Sequence, residues 1–399
     1  MTARPAPSAV ATFSPEELAN VLVRMFPNGA ALHEPEFAGN EWAYVKECLD
    51  TGWVSSAGGF VDRFEAMLRE LTGARHAVAT VNGTAALHAC LVLAGVGRDD
   101  EVIVPALSFV ATANAVAYCG AVPHFADCED VSLGLDAAKL SAHLGDITER
   151  RGGACVNRRT GRRIAAVVPM HALGHPCDLD ALSEVCAKYG LPLIEDAAES
   201  LGASYKGRHT GTVGRLGALS FNGNKVATTG GGGAIVTDDD DLGRAAKHLT
   251  TTAKIPHRWE YRHDRVGFNY RMPNINAALG CAQLEQLAGF LGAKRRLAAR
   301  YRAAFSEMEG LRFLDRPPWG ESSWWLNAVA LDSGNEGARD SVLALTNDRG
   351  VGTRPLWEPL HRLPMFVDCP RSDLSATEDL CARVIELPSS ARLAEEAVG

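Results

Sequence analysis

Three short stretches of the chain hold residue types that could do chemistry. In "SFNGNKVATTGGGG" a lone lysine, Lys225, follows an apolar run and precedes the glycine tract from Gly230 to Gly233. "PLIEDAAESLG" ends another apolar run in two acids, Glu195 and Asp196. "TVNGTAALHA" passes from a strand-like into a helix-like pattern through Asn82, Gly83 and Thr84. Each has an ordinary reading: a solvated lysine, a salt bridge to a local arginine, a plain strand–helix turn. Each also has a chemical one. A lysine can cradle a phosphate or anchor a cofactor covalently. A carboxylate ending a buried strand needs a cationic or protonated partner, because burying an unpaired charge is expensive. Glycine at a helix start lets backbone N–H groups approach an anion that the helix N-terminus already favours. The glycine spacing is neither G-x-G-x-x-G nor G-x-x-x-x-G-K-[ST], which argues against a dinucleotide site and a P-loop.

The elements that must position these residues alternate to about residue 240. "HAVATV", "DEVIVPA", "AVPHFAD", "IAAVVPMH", "LPLIEDA", "GALSF" and "GGAIVT" read as short strands, with helical spacing in "GTAALHACLVLAG" and "TANAVAYCG". Short apolar strands separated by helices predict a mainly parallel sheet covered on both faces. Ligands of such sheets bind at the carboxyl ends of the strands. Asp196 and Lys225 lie roughly 30 residues apart, about one strand–helix–strand unit, so neighbouring strand ends can present both to one crevice. Ser14, Pro15 and Glu17 predict a capped helix start near the N-terminus. "TERRGGACVNRRTGRRIAAVV" reads as an inserted hairpin with a solvated basic tip. Beyond residue 240 comes a long helical stretch with Leu284, Leu287 and Leu291 on one face, then a smaller α/β pattern through "SSWWLNAVAL" and "ARDSVLALTNDRG". The expected division is an N-terminal extension with a helix (1–30), a large domain (31–270), and the long helix with a small C-terminal domain (271–399).

Bulk properties narrow the class. The 399 residues carry a net charge of −8 with no long run of one sign, which argues against a nucleic-acid partner. Ten cysteines show no C-x-x-C pairing and several lie in apolar runs, a usage that suits a reducing compartment and predicts no metal site. No signal-peptide pattern and no apolar run of the ~18 residues a membrane span needs is visible. A cytoplasmic location is expected, with no membrane partner.

An anion-binding turn, a carboxylate and a lysine at one edge of one sheet are what a pyridoxal 5′-phosphate site requires. The lysine forms the Schiff base, the carboxylate keeps the pyridine nitrogen protonated, and amides hold the phosphate.

The motifs also carry a family resemblance. From "TGWVSSAGGFVDRFE" through "NGTAALHACLVLAGVGRDDEVIVPALSFVATANAVAYCGAVPHFAD", "EDAAESLGASYKGRHTGTVGRLGALSFNGNK" and "GFNYRMPNINAALGCAQL" to "TRPLWEPLHRLPMF", the chain resembles the DegT/StrS-type sugar aminotransferases. These are pyridoxal-phosphate enzymes of fold type I, the aspartate-aminotransferase fold. "LHEPEFAGNEWAYVKECLDTGWVSS", "VPMHALGHPCDLDAL" and "HLTTTAKIPHRWEYRHD" resemble most the branch associated with legionaminic acid and bacillosamine pathways. The resemblance implies Lys225 as the Schiff-base lysine and Asp196 as partner of the ring nitrogen. It implies Gly83, Thr84 and Ser220 on the phosphate and Phe109 stacked on the ring. Asn269 would reach the phosphate of the neighbouring subunit, which implies a homodimer with shared sites. Arg271, His361, Trp53, Ser55 and Ser56 match positions near the substrate. There is one departure: the residue three after the aspartate, commonly Gln or His beside the ring hydroxyl, is Glu199. A carboxylate there must be protonated or offset by a cation.

The implied reaction takes an amino group from glutamate to C4 of a nucleotide-linked 4-keto-6-deoxy sugar, with UDP-2-acetamido-2,6-dideoxy-hexos-4-ulose the leading acceptor. Alternatives are a GDP-linked or 3-keto sugar, or a non-catalytic cofactor-binding protein on the same fold. Related sugar dehydratases replace the lysine with histidine, so Lys225 argues against that chemistry. A nicotinamide-dependent sugar dehydrogenase lacks its glycine fingerprint.

Overall fold

A computed structural model describes residues 13–335 and 337–394; the Pro/Ala-rich lead at 1–12 lies outside them. Seven strands of the first 240 residues build the large sheet: β1 (His76–Thr80), β2 (Glu101–Pro105), β3 (Val122–Ala126), β4 (Ile164–Val167), β5 (Ile194–Asp196), β6 (Leu216–Ser220) and β7 (Gly233–Thr237). Helices separate the first five, but none lies between β5 and β6 or between β6 and β7. The strand–helix–strand unit expected between Asp196 and Lys225 is therefore two adjacent strands without a helix. β3, β2 and β4 form one hydrogen-bonded set, and β5, β6, β7 and β1 another. Parallel bridges Val167–Leu193 and Met170–Asp196 join them edge to edge. The sheet order is therefore β3-β2-β4-β5-β6-β7-β1. Every strand is parallel to the next except β7, which runs against both β6 and β1. This is the mainly parallel mixed sheet that the alternation predicts.

Period-2 side-chain alternation splits the strands between two cores. Val78, Ala218 and Ile235 face a cluster with helix Gly83–Leu93. Ala79, Leu219, Ala234 and Val236 face helices Gly59–Thr72 and Asn274–Phe305. Leu287 and Leu291 of the long helix are buried there as their spacing predicts, with Leu284 packed beside them.

A second, antiparallel sheet comprises Leu311–Phe313, Asn327–Leu331, Val384–Leu387 and Arg354–Pro355. Ala328, Ala330 and Val384 on one face join the core beneath the large sheet. Val329, Leu331, Ile385 and Leu387 on the other pack against Leu297 and Tyr301 of the long helix and Leu18, Leu22 and Phe26. The helix Pro15–Met25, capped as predicted by the Ser14 side chain accepting from Glu17 N–H, thus packs onto the C-terminal sheet. The inserted hairpin is Thr148–Arg151 paired with Ala154–Asn157. All ten cysteines are free, and eight are buried. Among the described residues, no helix is long and apolar enough to cross a membrane and no cluster of three potential metal ligands occurs.

Candidate active site

The register of the large sheet gathers the three stretches. Gly233, at the start of β7, lies opposite Thr80 at the end of β1 and Ser220 at the end of β6. Ala218 of β6 lies opposite Asp196, the last residue of β5. Four strand termini thus meet at one edge. They border a cavity of about 320 Å³ lined by Gly83, Thr84, Phe109, Asp196, Glu199, Ser220 and Lys225. The sequence does not single out Thr112, Met170, Asn222, Asn224, Trp325 and Trp357, which also line it.

At one end Gly83 opens helix Gly83–Leu93, whose N-cap Asn82 accepts from Ala85 N–H at 2.7 Å. No intrahelical carbonyl serves the first-turn N–H groups of Gly83 and Thr84. A Cβ at Gly83 would sit 2.8 Å from Ser220 Cβ and 3.0 Å from its Oγ. Only glycine lets the serine hydroxyl stand beside those amides. A Cβ at Gly233 would fall 2.4 Å from the carbonyl of Asn82. The end of the glycine tract therefore serves packing, since it lets β7 run against the strand–helix turn.

At the other end Asp196 is buried. It accepts from Thr112 Oγ1 at 2.7 Å and from Ala198 N–H at 3.2 Å, and Ser108 Oγ stands 2.8 Å from the same threonine. Burial raises its carboxyl above the ordinary aspartate range, against the pull of the Thr112 hydrogen bond. Glu195 points to the opposite strand face. Its partners are His171 Nε2 at 3.0 Å and the N–H groups of Gly211, Val213 and Gly214 at 2.6–2.7 Å, not a local arginine. Burial pulls His171 down and the Glu195 contact pulls it up; its Nδ1 accepts from Cys177 N–H at 3.1 Å, so Nε2 carries the proton that Glu195 accepts. Hydrogen bonds likewise hold Glu195 below its ordinary value despite burial.

This pair fixes the backbone on which Asp196 stands, since His171 N–H donates to Asp196 O at 3.1 Å. His171→Ala is expected to cost about 1.5–3 kcal/mol of stability, because it removes one donor from a buried carboxylate that keeps its three backbone N–H partners; urea unfolding measures this. The depressed glutamate contributes fully above 4.5 and loses its part as pH falls. The midpoint difference between wild type and variant should therefore be widest above pH 4.5 and narrow as pH falls below it.

Lys225 lies between the two ends, its side chain 12% exposed and its Nζ 3.3 Å from Glu199 Oε1. The amine also stands over the Trp325 ring, 3.8 Å from the centroid. Glu199 Oε2 accepts from Leu173 N–H at 2.9 Å. Burial lifts the Glu199 carboxyl to about 7, with Lys225 pulling the other way. The cation that a carboxylate at this position requires is thus Lys225 itself. Phe109 is half exposed on the cavity wall rather than in the core.

The remaining predicted residues lie outside this cavity. Asn269 is exposed and bridges Thr251. Arg271 bridges Thr80 at the end of β1, and its buried Nε has no hydrogen-bond partner among the described residues. His361 Nε2 pairs with Glu378 at 3.1 Å. Trp53 lines a separate groove with Cys48, Gly58 and Arg63. Asn274, which the sequence does not mark, pins this loop: its Nδ2 donates to Trp53 O at 2.7 Å and its N–H to Ser55 O at 2.7 Å. Ser56 is half-buried beside it.

Donor groups at one end, a carboxylate at the other and an amine between them complement a phosphorylated, cationic ring bearing an aldehyde. The Gly83 gap fits this reading, because it is the space a phosphate-binding hydroxyl and two amides must share.

Comparison with known proteins agrees. Residues 35–399 match the DegT/DnrJ/EryC1/StrS aminotransferase family. The chain is 39% identical over 364 residues to GDP-perosamine synthase of Caulobacter vibrioides, covering 90% of this chain and 93% of that one. It is 37% identical over 372 residues to EpsN of Bacillus subtilis, named as a pyridoxal phosphate-dependent aminotransferase, covering 92% of each. The aminotransferase TlmJ from Streptoalloteichus hindustanus superposes with a TM-score of 0.81 at 30% identity, over 91% of this chain and 94% of that one. The chain belongs to the DegT/DnrJ/EryC1/StrS aminotransferase family and is a pyridoxal-phosphate-dependent aminotransferase of nucleotide-linked sugars. These relatives do not point to the legionaminic acid and bacillosamine branch.

Proposed function

We propose that this enzyme moves an amino group from glutamate to C4 of a 4-keto-6-deoxy sugar linked to guanosine diphosphate. The observation that carries the nucleotide is the GDP-perosamine synthase relative, matched over nine-tenths of both chains. The sequence motifs alone favour a UDP-linked acetamido sugar. That expectation has no support among the relatives described above, and the GDP-linked alternative moves ahead of it.

Each residue of the cavity has a role in this reading. The N–H groups of Gly83 and Thr84 and the Ser220 hydroxyl hold the phosphate. Asp196 would hold the ring nitrogen, and a cation there would restore the charged form that burial disfavours. Phe109 covers one ring face. Bound there, pyridoxal 5′-phosphate would supply the electron sink for the bond broken at the donor's α-carbon. Lys225 Nζ carries the cofactor at rest and moves the protons, off the donor's α-carbon in one half-reaction and onto C4 of the sugar in the other. Glu199 steers that amine, and its carboxyl, raised to about 7, can exchange a proton near neutral pH. Trp325 and Trp357 keep water from the amine.

Asn269, Arg271, His361 and the Trp53–Ser55–Ser56 loop lie off the cavity of their own chain, which fits the proposed homodimer: Asn269 would complete the neighbouring subunit's site. A cytoplasmic location belongs to the same proposal.

The test is a rate comparison across GDP- and UDP-linked 4-keto-6-deoxy sugars with glutamate as donor. The expected result is a kcat/KM for a GDP-linked acceptor at least about tenfold above any UDP-linked one, the difference a few well-placed contacts supply. A UDP preference would restore the acetamido-sugar reading. Turnover of neither would overturn the substrate class.

A further inference from the structure

Lys294, on the long helix, is 1% exposed and lies outside the cavity. A lysine is rarely buried this deeply unless its charge is met. Its Nζ donates to Ser389 O at 2.6 Å and to Trp325 O and Trp324 O at 3.3 and 3.4 Å, and stands 2.8 Å from His33 Nε2. Three of these partners are backbone carbonyls, and two belong to consecutive residues.

Those two residues form an unusual turn. Trp324 has φ +53, a left-handed conformation that a bulky side chain adopts only when its surroundings enforce it. Facing it is a second such residue, Leu173, at φ +57. Leu173 O accepts from Leu326 N–H at 3.2 Å, and Leu173 N–H is the donor to Glu199. Gly174 makes room for the turn: a Cβ there would lie 3.0 Å from Trp325 N. From this turn the Trp325 indole N–H reaches Asn224 O at 2.6 Å, one residue before Lys225, and its ring lies under the Lys225 amine. An unbroken path of contacts therefore runs from the buried Lys294 amine through two carbonyls to the indole and the reacting amine.

We infer that Lys294 is a positioning residue: from inside the core it clamps the left-handed Trp324–Trp325 turn and thereby seats the Trp325 indole against Lys225. The amine supplies the N–H donors on which the two carbonyls of the turn converge. Burial pulls this amine down to about 7, whereas acceptors that offer only lone pairs favour its charged form. The inference rests on Lys225 being the reacting amine, and its test includes a readout that needs no turnover.

The experiment compares wild type, Lys294→Met, the milder Lys294→Gln (which keeps two N–H donors), Trp325→Phe, and the Lys294→Met/Trp325→Phe double variant. In the cofactor-free full chain, pulsed acetylation followed by peptide mass spectrometry reads how far the indole shields Lys225. Lys294→Met and Trp325→Phe are each expected to speed acetylation at Lys225 several-fold, with Lys294→Gln between them and wild type. In the loaded enzyme, kcat should fall about 10- to 100-fold with sugar KM within about twofold, as for misplacement of a reacting group. The double variant should be no worse than the poorer single one, because both act through one contact. Unchanged acetylation with unchanged kcat, or losses that multiply in the double variant, would overturn the inference. So would failure of both Lys294 variants to fold, since Lys294 would then serve the domain and not the turn. Altered acetylation in a protein that transaminates no sugar would sink the functional reading and leave this inference standing.

Discussion

Lys225→Ala is expected to lower transamination on the order of 10⁴-fold while leaving the fold intact. The variant loses the covalent anchor and the proton carrier at once; general acid–base catalysis alone is worth about 10²–10⁴-fold, so the upper end applies. The structural cost is small because the site already accommodates a proton on its neighbour. Glu199 has its carboxyl lifted to about 7 even with the lysine present. Without Lys225 Nζ at 3.3 Å, the largest force favouring its charged form disappears, and Glu199 takes up a proton instead of remaining a bare buried charge. Its other oxygen keeps the Leu173 N–H bond. Initial rates with glutamate and keto sugar, alongside a thermal melt of the same preparation, measure both halves. A melt within a few degrees of wild type together with vanished turnover is the expected pair of results. Surviving turnover would remove Lys225 from the chemistry.

Asp196→Asn is expected to cost on the order of 10²–10³ in kcat, the loss that follows when one preorganised electrostatic group is removed from a transition state. The amide keeps the shape and can still accept from Thr112 Oγ1, but it carries no charge to hold a proton on the ring nitrogen. Stability should move the other way. The folded carboxyl is raised above its ordinary 3.8, so the empty protein bears a cost for ionising it that is absent below 3.8 and grows as pH rises through the shifted value. Asparagine removes that cost. At neutral pH the cofactor-free variant should melt at the same temperature as wild type or higher, and at about pH 3.5 the difference should vanish. An inactive variant that melts several degrees lower would show Asp196 to be a structural group.

Much of this site was legible because its chemistry sits in local motifs. Gly83, Asp196, Ser220 and Lys225 lie at or just beyond strand ends, where turn residues and lone charges stand out against apolar runs. The alternation also conveyed the sheet type. Other features depend on distant segments. Thr112, Trp325 and Trp357 reach the cavity from helix Val110–Tyr118 and from the C-terminal part, and as single residues each resembles ordinary core or helix composition. In "SSWWLNAVAL", read from sequence only as part of a smaller α/β pattern, the strand begins at Asn327, after the left-handed turn at Trp324. Nothing near Lys294 marks it as buried; its carbonyl partners lie 30 or more positions away. Which of Glu195 and Asp196 faces the cavity follows from strand pleat and could not be decided from a pair of adjacent acids. Nothing in the glycine tract after Lys225 marks Gly233 as the glycine packed tightly against Asn82, a contact with a distant segment. Sugar and nucleotide identity were least legible, since side chains off this cavity must read them.

The central claim is that the Lys225 amine carries pyridoxal 5′-phosphate in this cavity. Borohydride reduction of the purified enzyme followed by peptide mapping tests it most directly. The expected result is a yellow protein that bleaches on reduction, with the reduced pyridoxyl adduct confined to the peptide bearing Lys225. An adduct on another lysine, or a colourless protein that takes up no pyridoxal phosphate on reconstitution, would contradict it.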